Sequence, residues 1–284
     1  MDTPGKTRRE VVSGLLFVGA TVAGPVAAAD EFKFGLTPVF LTNDLELLAR
    51  LRDYLQRRTA HSVRLVTKRT YQEITSLLIS GQLDAAWICG FPFVAYKPQL
   101  ELVAVPVWQG KPLYRSYLIT GRDRAAQSLD DLKGDVHAFS DPDSNSGWLV
   151  TATALAKRNR FFGQTLFTWG HRNVVRAVAS GLATSGSVDG YVYEVMRETE
   201  PELIGRTRVV GQSELLGFPP IACAATLASD PRIKRFQKAL VGMSEDQEGQ
   251  SVLRMLRLDG FSVEDSSLFD SIAAEVSVVR GSAG

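Results

Sequence analysis

The sequence predicts an α/β protein with two lobes, a mixed β-sheet in each lobe and a ligand cleft between them. Short apolar runs alternate with amphipathic helical patterns over residues 32–88 and again over residues 136–192. This alternation is typical of parallel strands joined by helices. Two longer apolar runs, Leu102–Val107 and Leu113–Thr120, separate the two sets and are of a kind that can pass between lobes.

The first set predicts three strands and two helices. The strands are Phe32–Leu36, Val63–Val66 and Ala85–Ile88. Asn43 is expected to cap a helix whose apolar face carries Leu47, Leu48, Leu51 and Leu55. A second helix is predicted over Tyr71–Ser80 and ends at Gly81.

The second set predicts a second lobe, after which the chain returns to the first. Its strands are Val136–Phe139, Leu166–Trp169 and Val188–Val192, with helices over Gly147–Lys157 and Val174–Ser180. After Pro219-Pro220-Ile221-Ala222 come the helices Arg232–Val241, Gln247–Leu256 and Ser266–Ala274. We therefore expect residues 30–120 and 216–284 to form the first lobe and residues 121–215 the second.

The N-terminus has the pattern of an export signal. Arg8 and Arg9 precede a modestly apolar run, Val11–Val26, which ends in Ala27-Ala28-Ala29. A basic start, a short apolar core and an Ala-x-Ala end predict cleavage before Asp30. The paired arginines favour the twin-arginine route, although ordinary signals also carry basic pairs. The run is short for a span of about twenty apolar residues, so we expect a soluble, exported protein.

Charge and cysteine content exclude several classes of function. Removing residues 1–29 removes three basic and two acidic residues and leaves 29 of each, so nothing favours nucleic acid or an anionic membrane. Cys89 and Cys223 are too few for a disulfide scaffold. No metal-ligand spacing and no nucleophile motif is present, so we expect no cofactor, no metal and no catalysis.

A polar segment, Ser140–Trp148, lies between a predicted strand and a predicted helix. Unpaired backbone N–H groups and the helix dipole point outward at such a junction. The hydroxyls of Ser144 and Ser146 add neutral donors, and Gly147 allows close approach to the backbone. The segment is therefore either an anion-binding cradle or an Asp-Pro turn with a serine cap and no ligand.

Several segments occur in the order found in one family. They are Phe34-Gly35-Leu36, Tyr71, Asp84-Ala85-Ala86-Trp87, Gly110-Lys111-Pro112-Leu113-Tyr114, Asp141-Pro142-Asp143-Ser144-Asn145-Ser146-Gly147, Gly170-His171 and Val188-Asp189. From about Phe34 to Leu240 the chain resembles the periplasmic phosphonate-, phosphite- and phosphate-binding proteins of ABC importers. The resemblance implies the type 2 periplasmic binding protein (Venus flytrap) fold and delivery of a small oxyanion to an ABC permease. We expect it to act as a monomer.

The resemblance also implies a pocket of neutral donors from both lobes. Ser144, Asn145 and Ser146 would bind the anion at the helix start, with His171 from a neighbouring turn and Tyr71 and Tyr114 from the first lobe. Such donors can satisfy an oxyanion without the tight, unselective binding of clustered Lys and Arg. Each residue also has a structural interpretation: Tyr71 and Tyr114 as packed aromatics, and Asp189 as the end of a strand or a turn.

One departure from the family pattern concerns substrate. Relatives that take aminoalkylphosphonates are expected to carry an acidic residue before a Pro-Ile pair, and here Pro219 stands at that position. Without a carboxylate a buried ammonium would be unpaired, at a cost of several kcal/mol, although Glu194 could compensate. Phosphate, phosphite or a small apolar phosphonate therefore fits better.

The other departure is Cys89, at the predicted carboxyl end of a strand, where α/β folds bind ligands. It has three interpretations: a small buried residue, a disulfide partner of Cys223, or a ligand for trivalent arsenic. The last would make the protein an arsenite sensor that signals to a membrane histidine kinase. Catalysis by Cys89 with His171 is disfavoured, because the two lie in different predicted lobes.

Overall fold

The computed structural model describes residues 1–2, 31–38, 44–156, 158 and 161–282. The predicted export signal therefore lies almost entirely outside the described residues, as does Asn43. The first helix begins at Leu45, and the side chain of Asp44 caps it by accepting the N–H of Leu47 at 3.0 Å.

The described residues form the following strands and helices. The strands are β1 (Phe32–Leu36), β2 (Val63–Thr67), β3 (Ala85–Trp87), β4 (Leu100–Val107), β5 (Leu113–Tyr114), β6 (Ser116–Gly121), β7 (Val136–Phe139), β8 (Gln164–Phe167), β9 (Ser185–Asp189), β10 (Thr207–Gln212), β11 (Leu216–Gly217), β12 (Ile221–Ala224) and β13 (Gly260–Ser262). The helices are α1 (Leu45–Thr59), α2 (Tyr71–Ile79), α3 (Gly90–Ala95), α4 (Val150–Leu155), α5 (His171–Ala179), α6 (Gly190–Thr199), α7 (Pro201–Ile204), α8 (Pro231–Val241), α9 (Gln247–Leu256) and α10 (Asp270–Ser282).

Two mixed sheets form the centres of two lobes. The first has the order β13-β4-β12-β3-β1-β2, and the second has the order β10-β6-β9-β7-β8. In the first sheet β1 runs parallel to β2 and β3, while β12 runs antiparallel to β3 and β4. In the second sheet β7 is parallel to β8 and β9, while β6 and β10 are antiparallel. The predicted two-lobed α/β fold with a mixed sheet in each lobe is confirmed.

The C-terminal part of the chain completes the first lobe. Strands β12 and β13 enter the first sheet, and α8 packs against α1 and β4. The ring of Phe236 lies 4.7 Å from that of Phe32 and 5.0 Å from that of Phe34, centroid to centroid, so β1 and α8 share one buried core. The final helix, α10, contacts both α3 and α4 and so touches both lobes.

The connection between the lobes is a short two-stranded ribbon. Strands β5 and β11 pair antiparallel, with Tyr114 opposite Leu216, and the N–H of Phe218 donates to the carbonyl of Pro112 at 2.9 Å. The strand predicted over Leu113–Thr120 is therefore divided at Arg115: β5 belongs to the ribbon, and β6 belongs to the second sheet. The division marks the place where the chain crosses between lobes.

Several other boundaries also differ from the sequence prediction, and two of them bear on the site. The strand predicted over Val188–Val192 ends at Asp189, because the Asp189 side chain accepts the N–H of Val192 at 3.1 Å and so starts α6. The helix predicted over Gly147–Lys157 begins earlier, with a π-type turn over Asn145–Leu149 that continues into α4. Among the described residues, no helix combines the length and apolar character needed to cross a bilayer.

Candidate ligand-binding site

The polar segment after β7 forms a cap at the start of a helical turn. Ser144 has an extended backbone, and its Oγ accepts the N–H of Gly147 at 3.0 Å. The carbonyl of Ser144 accepts the N–H of Leu149 at 3.0 Å, which gives the turn its π character. Asn145 and Ser146 are consequently held at the first positions of this turn, where backbone N–H groups point away from it.

Gly147 is required at its position by close packing. A Cβ atom there would lie 1.8 Å from Ser140 Oγ and 2.8 Å from Ser144 Oγ. The N–H of Ser140 also donates to the carbonyl of Gly147 at 3.2 Å, so the two ends of the segment are tied together. The segment therefore closes on itself only with glycine at position 147.

Tyr71 and His171 meet across the cleft. Tyr71 begins α2 in the first lobe, His171 begins α5 in the second, and Tyr71 Oη lies 3.2 Å from His171 Nε2. The backbone N–H of Asp189 donates to His171 Nδ1 at 3.1 Å. Burial lowers the pKa of His171 to about 3, so the ring is neutral at pH 7. Because Nδ1 accepts, Nε2 carries the proton and donates to Tyr71 Oη.

The hydroxyl of Tyr71 can consequently act as a hydrogen-bond donor. Its oxygen accepts from His171, while its own proton is available to an anion in the cleft. The backbone N–H of Tyr71 donates to Asp141 Oδ2 at 3.2 Å, which is a second contact between the lobes. Burial raises the pKa of Tyr71 well above its usual value, so the hydroxyl keeps its proton.

Asn145 joins the second lobe to the two-stranded ribbon of β5 and β11 and to the first lobe. Its Nδ2 donates to Tyr114 Oη at 3.1 Å, and its backbone N–H donates to Cys89 Sγ at 3.1 Å. A thiol sulfur is a weak acceptor, so an anionic oxygen can compete for this N–H. Burial raises the pKa of Cys89 to about 12, which keeps the thiol protonated. Burial also raises the pKa of Tyr114 well above its usual value.

The structure brings all seven sequence-predicted site residues together in one buried cluster. They are Tyr71, Cys89, Tyr114, Ser144, Asn145, Ser146 and His171. None carries a positive charge, and those whose pKa is shifted are shifted toward the neutral form. The cluster can therefore offer neutral N–H and O–H donors from both lobes, which suits a multivalent oxyanion.

Two carboxyl groups in this cluster were not predicted as site residues. Asp141 accepts the N–H groups of Asp143 and Tyr71, at 2.8 and 3.2 Å. Asp189 was interpreted as the end of a strand or a turn, and it does end β9. Burial raises its pKa to about 7, an effect that backbone N–H groups and the Ser146 hydroxyl partly oppose. Its place in the site depends on the pairing of β9 with β6, which no local pattern encodes.

Other predicted residues have their hydrogen-bond or ion-pair partners outside the donor cluster. The carbonyl of Pro219 accepts the indole N–H of Trp87 at 2.8 Å, and Glu194 forms an ion pair with Arg197 at 2.8 Å. Cys223 is buried in β12 and, like Cys89, is a free thiol. The predicted alternative of a disulfide is therefore not what the structure shows. No group of three or more His, Cys, Asp or Glu with metal-binding geometry occurs in the described part of the chain.

Solved structures with the same fold include binding proteins of transporters. A binding-protein component of an ABC phosphonate transporter from Pseudomonas aeruginosa is 22% identical, with a TM-score of 0.81 over 90% of this chain and 88% of that one. PhnD1 from Prochlorococcus marinus, in complex with methylphosphonate, is 16% identical, with a TM-score of 0.79 over 88% of this chain and 98% of that one. A histidine kinase sensor domain similar to periplasmic binding proteins is 14% identical, with a TM-score of 0.58 over 81% and 96%.

Two lobes, a two-stranded connection and a buried donor cluster between the lobes are the architecture found in these solved binding proteins. The family model for the periplasmic substrate-binding protein of phosphonate ABC transporters matches residues 34–269. The chain therefore belongs to this family, as its sequence predicted. The family is one of substrate-binding transport proteins, which work with an ABC transporter.

Proposed function

We propose that this protein captures a small oxyanion of the phosphate, phosphite or phosphonate class in its interlobe cleft and delivers it to an ABC permease. The single observation that carries the proposal is the meeting of neutral donors from both lobes. Tyr71 Oη lies 3.2 Å from His171 Nε2, and Asn145 Nδ2 lies 3.1 Å from Tyr114 Oη. An anion placed among these groups holds the lobes together and so converts binding into a closed shape that a permease can recognise.

The role of each residue is part of the proposal. Backbone N–H groups at Asn145 and Ser146 and the Ser146 hydroxyl would bind oxygens at the start of the turn. Tyr71 would donate from the first lobe and Tyr114 from the ribbon, with His171 holding the Tyr71 hydroxyl in place. Cys89 would contact the ligand or yield the Asn145 N–H to it.

Several broader predictions belong to the same proposal. The protein would be exported by the signal in residues 1–29, act as a monomer in the periplasm, and need neither a cofactor nor catalysis. The lobe boundaries also remain a proposal, and the membership of β6 in the second sheet favours a crossing a few residues before the predicted boundary at 120. The Pro219 position continues to favour ligands without an ammonium group.

Calorimetric titration of the ligand-stripped protein tests the proposal. Phosphate, phosphite and methylphosphonate are titrated in turn, and we expect at least one to bind tightly. Ser146→Phe should abolish binding, because the side chain of Ser146 is enclosed in the cluster. Ser271→Phe, at an exposed position of α10, is the matched control and should bind as the unmodified protein does. Absence of binding by all three anions would exclude this function.

The location of Cys89 supports a second candidate, the arsenite sensor. Its Sγ lies among the site residues, 3.1 Å from the N–H of Asn145. Trivalent arsenic binds thiols, and the protonated thiol could replace one As–OH group with release of water and formation of an S–As bond. The partner would then be a membrane histidine kinase. Arsenite in the same titration decides between the two candidates.

A further inference from the structure

The C-terminal helix α10 is fixed closely to the first lobe and to the ribbon of β5 and β11. Ile272 is fully buried, and its Cδ1 lies 2.6 Å from the place that a Cβ at Gly90 of α3 would take. Phe269, just before α10, packs on Phe93 of α3 with ring centroids 4.9 Å apart. A Cβ at Gly217 of β11 would lie 2.9 Å from the same ring of Phe269. These close fits leave α10 little freedom to move relative to α3.

The same helix also packs on the second lobe, where the two lobes meet. It lies against α4 and the turn Asn145–Leu149, and the ring of Trp148 in that turn stacks on Phe91 of α3 with centroids 5.9 Å apart. Thr153 Oγ1 of α4 donates to the carbonyl oxygen of Glu275 at 3.4 Å, a long and therefore weak hydrogen bond. Because α10 is held more closely by α3, a rotation of the lobes must shift it against α4.

The carboxyl group of Glu275 is buried in this part of α10. Its Oε2 is enclosed and completes no hydrogen bond within the residues that the structure describes. Burial raises the pKa of this carboxyl to about 7, so its proton exchanges near neutral pH. A buried carboxylate without a donor or a cation is costly, whereas the protonated carboxyl is tolerated far better. The charge on Glu275 therefore affects how readily α10 and α4 stay in contact.

The described elements that pack against α10 contain no acidic or basic residue to balance this charge. They are α3, α4, β11, the turn Asn145–Leu149 and the turn Ser266–Phe269. The described charged residues on α10 itself or just outside these elements are all exposed: Lys97, Arg158, Glu214, Asp265, Asp270 and Arg280. Arg158 is paired with Asp130, and Lys157 lies outside the described residues. The thiol of Cys89, at the start of α3, keeps its proton because burial raises its pKa to about 12.

We propose that ligand capture is coupled to the uptake of one proton by Glu275, and that α10 links this proton to the closing of the lobes. The inference rests on the proposed function and adds regulation to it. In the closed form the carboxyl is buried and protonated. Opening shifts α4 against α10, so water reaches the carboxyl and the proton passes to the solvent. The closed and open forms thus differ by one bound proton.

The direction of the pH effect follows from this difference. A hydrated glutamate in the open form has a pKa of about 4.3. In the closed form the pKa of Glu275 is about 7. Between these values the closed form binds more protons, so acid favours closure and raises ligand affinity by up to about tenfold per pH unit. Above about pH 7 neither form holds the proton, and the effect disappears.

Calorimetric titration with methylphosphonate at about pH 7.5 and about pH 5.5 tests the coupling. Glu275→Gln keeps the shape of the protonated carboxyl but cannot ionise, so it should bind more tightly than the unmodified protein at the higher pH. This advantage should shrink at least about tenfold at the lower pH, where the unmodified protein gains affinity. The titrations of the ligand and of the other site residues are common to both proteins and cancel in the comparison.

The number of protons taken up gives a second readout, one that a merely structural role would not change. It follows from binding enthalpies measured in buffers that differ in heat of ionisation. At about pH 6 the unmodified protein should take up more protons than Glu275→Gln, by up to about one per ligand. Asp270→Asn, at an exposed carboxyl of the same helix, is the matched control and should behave as the unmodified protein does in both measurements.

Three outcomes would overturn the inference. They are an affinity ratio between Glu275→Gln and the unmodified protein that is the same at both pH values, equal proton uptake by these two proteins, and a change in Asp270→Asn as large as that in Glu275→Gln. If Glu275→Gln does not fold, Glu275→Met, with an apolar side chain of similar length, takes its place in both measurements. Absence of binding by methylphosphonate, phosphate and phosphite would instead refute the proposed function itself.

Discussion

His171 Nε2 donates to Tyr71 Oη across a distance of 3.2 Å, and this bond joins the start of α5 in one lobe to the start of α2 in the other. The direction of the bond follows from the Asp189 N–H, which occupies Nδ1. The arrangement holds two side chains of the site in a fixed relation when the lobes are closed. Opening the cleft must break it, so the bond contributes to the equilibrium between the open and closed forms.

Tyr71→Phe should weaken ligand binding much more than it weakens the fold. The substitution removes a proposed donor to the anion and leaves the His171 N–H buried without an acceptor, at a cost of about 1–3 kcal/mol in the closed form. We expect the Kd for the tightest-binding phosphorus oxyanion to rise about tenfold to a hundredfold by calorimetry.

Tyr54→Phe is the matched control for this prediction. Tyr54 is also fully buried, and its hydroxyl donates to the carbonyl of Ala239 at 2.7 Å within the first lobe. This variant should lower the melting temperature while the Kd stays within about threefold of the original. Equal effects of the two substitutions on Kd would show that Tyr71 acts through stability alone.

Gly147→Ala should disrupt the cradle. The added Cβ would overlap Ser140 Oγ, at 1.8 Å, so either the serine or the whole segment must move. Strain of this kind typically costs about 1–3 kcal/mol. We expect a loss of oxyanion affinity of at least about tenfold in calorimetry, because the N–H groups of Asn145 and Ser146 are displaced with the segment.

Gly121→Ala provides the comparison, since nothing lies within 4 Å of a Cβ at that position in β6. It should change neither the melting temperature nor the affinity measurably. Retention of full affinity in Gly147→Ala would mean that the segment does not bind the ligand.

Much of the framework could be predicted from local sequence. Val136–Phe139 and Gln247–Leu256 lie where the apolar pattern put them, and α2 begins at Tyr71 as predicted. The pattern failed at Val188–Val192, where β-branched residues favour a strand but the capping carboxylate of Asp189 begins a helix. Local preference there gives way to a single side-chain hydrogen bond.

The candidate site could likewise be predicted only in part from local sequence. Its donor residues were predicted because the polar segment and Gly170-His171 are recognisable in the sequence. The unsatisfied oxygen of Asp189 could not be predicted, since it depends on which groups surround β9 after the lobes meet. The direction of the His171 bond is likewise a property of the assembled site, because the N–H that fixes it is 18 residues away in the chain.

Acid should destabilise the protein through His137 and His171 before its carboxylates are fully protonated. Burial lowers the pKa of both to about 3, against about 6.5 when unfolded. Between these values the unfolded chain binds more protons, so stability falls as pH falls, by up to about 1.4 kcal/mol per pH unit for each histidine. Asp189, with a raised pKa, has the opposite effect between about pH 4 and 7.

Substitution isolates the contribution of one histidine. The nitrogens of His137 each lie 2.8 Å from a serine hydroxyl, those of Ser185 and Ser187. Urea unfolding at about pH 7 and pH 4.5 should show a smaller pH-dependent loss of stability for His137→Gln than for the unmodified protein. An equal loss in the two proteins would contradict the assignment.

Cys89→Ser should retain oxyanion binding if the only role of the Cys89 thiol is to accept the Asn145 N–H in the ligand-free protein. Serine is also small and offers a hydroxyl oxygen to that N–H, so the closed form is preserved. We expect the Kd for the phosphorus oxyanion to stay within about threefold of the original. Cys223→Ser, at the other buried free thiol, is the control and should have the same Kd. Arsenite binding that disappears in Cys89→Ser and persists in Cys223→Ser would identify the sensor instead, because only a ligand that bonds to sulfur requires that thiol.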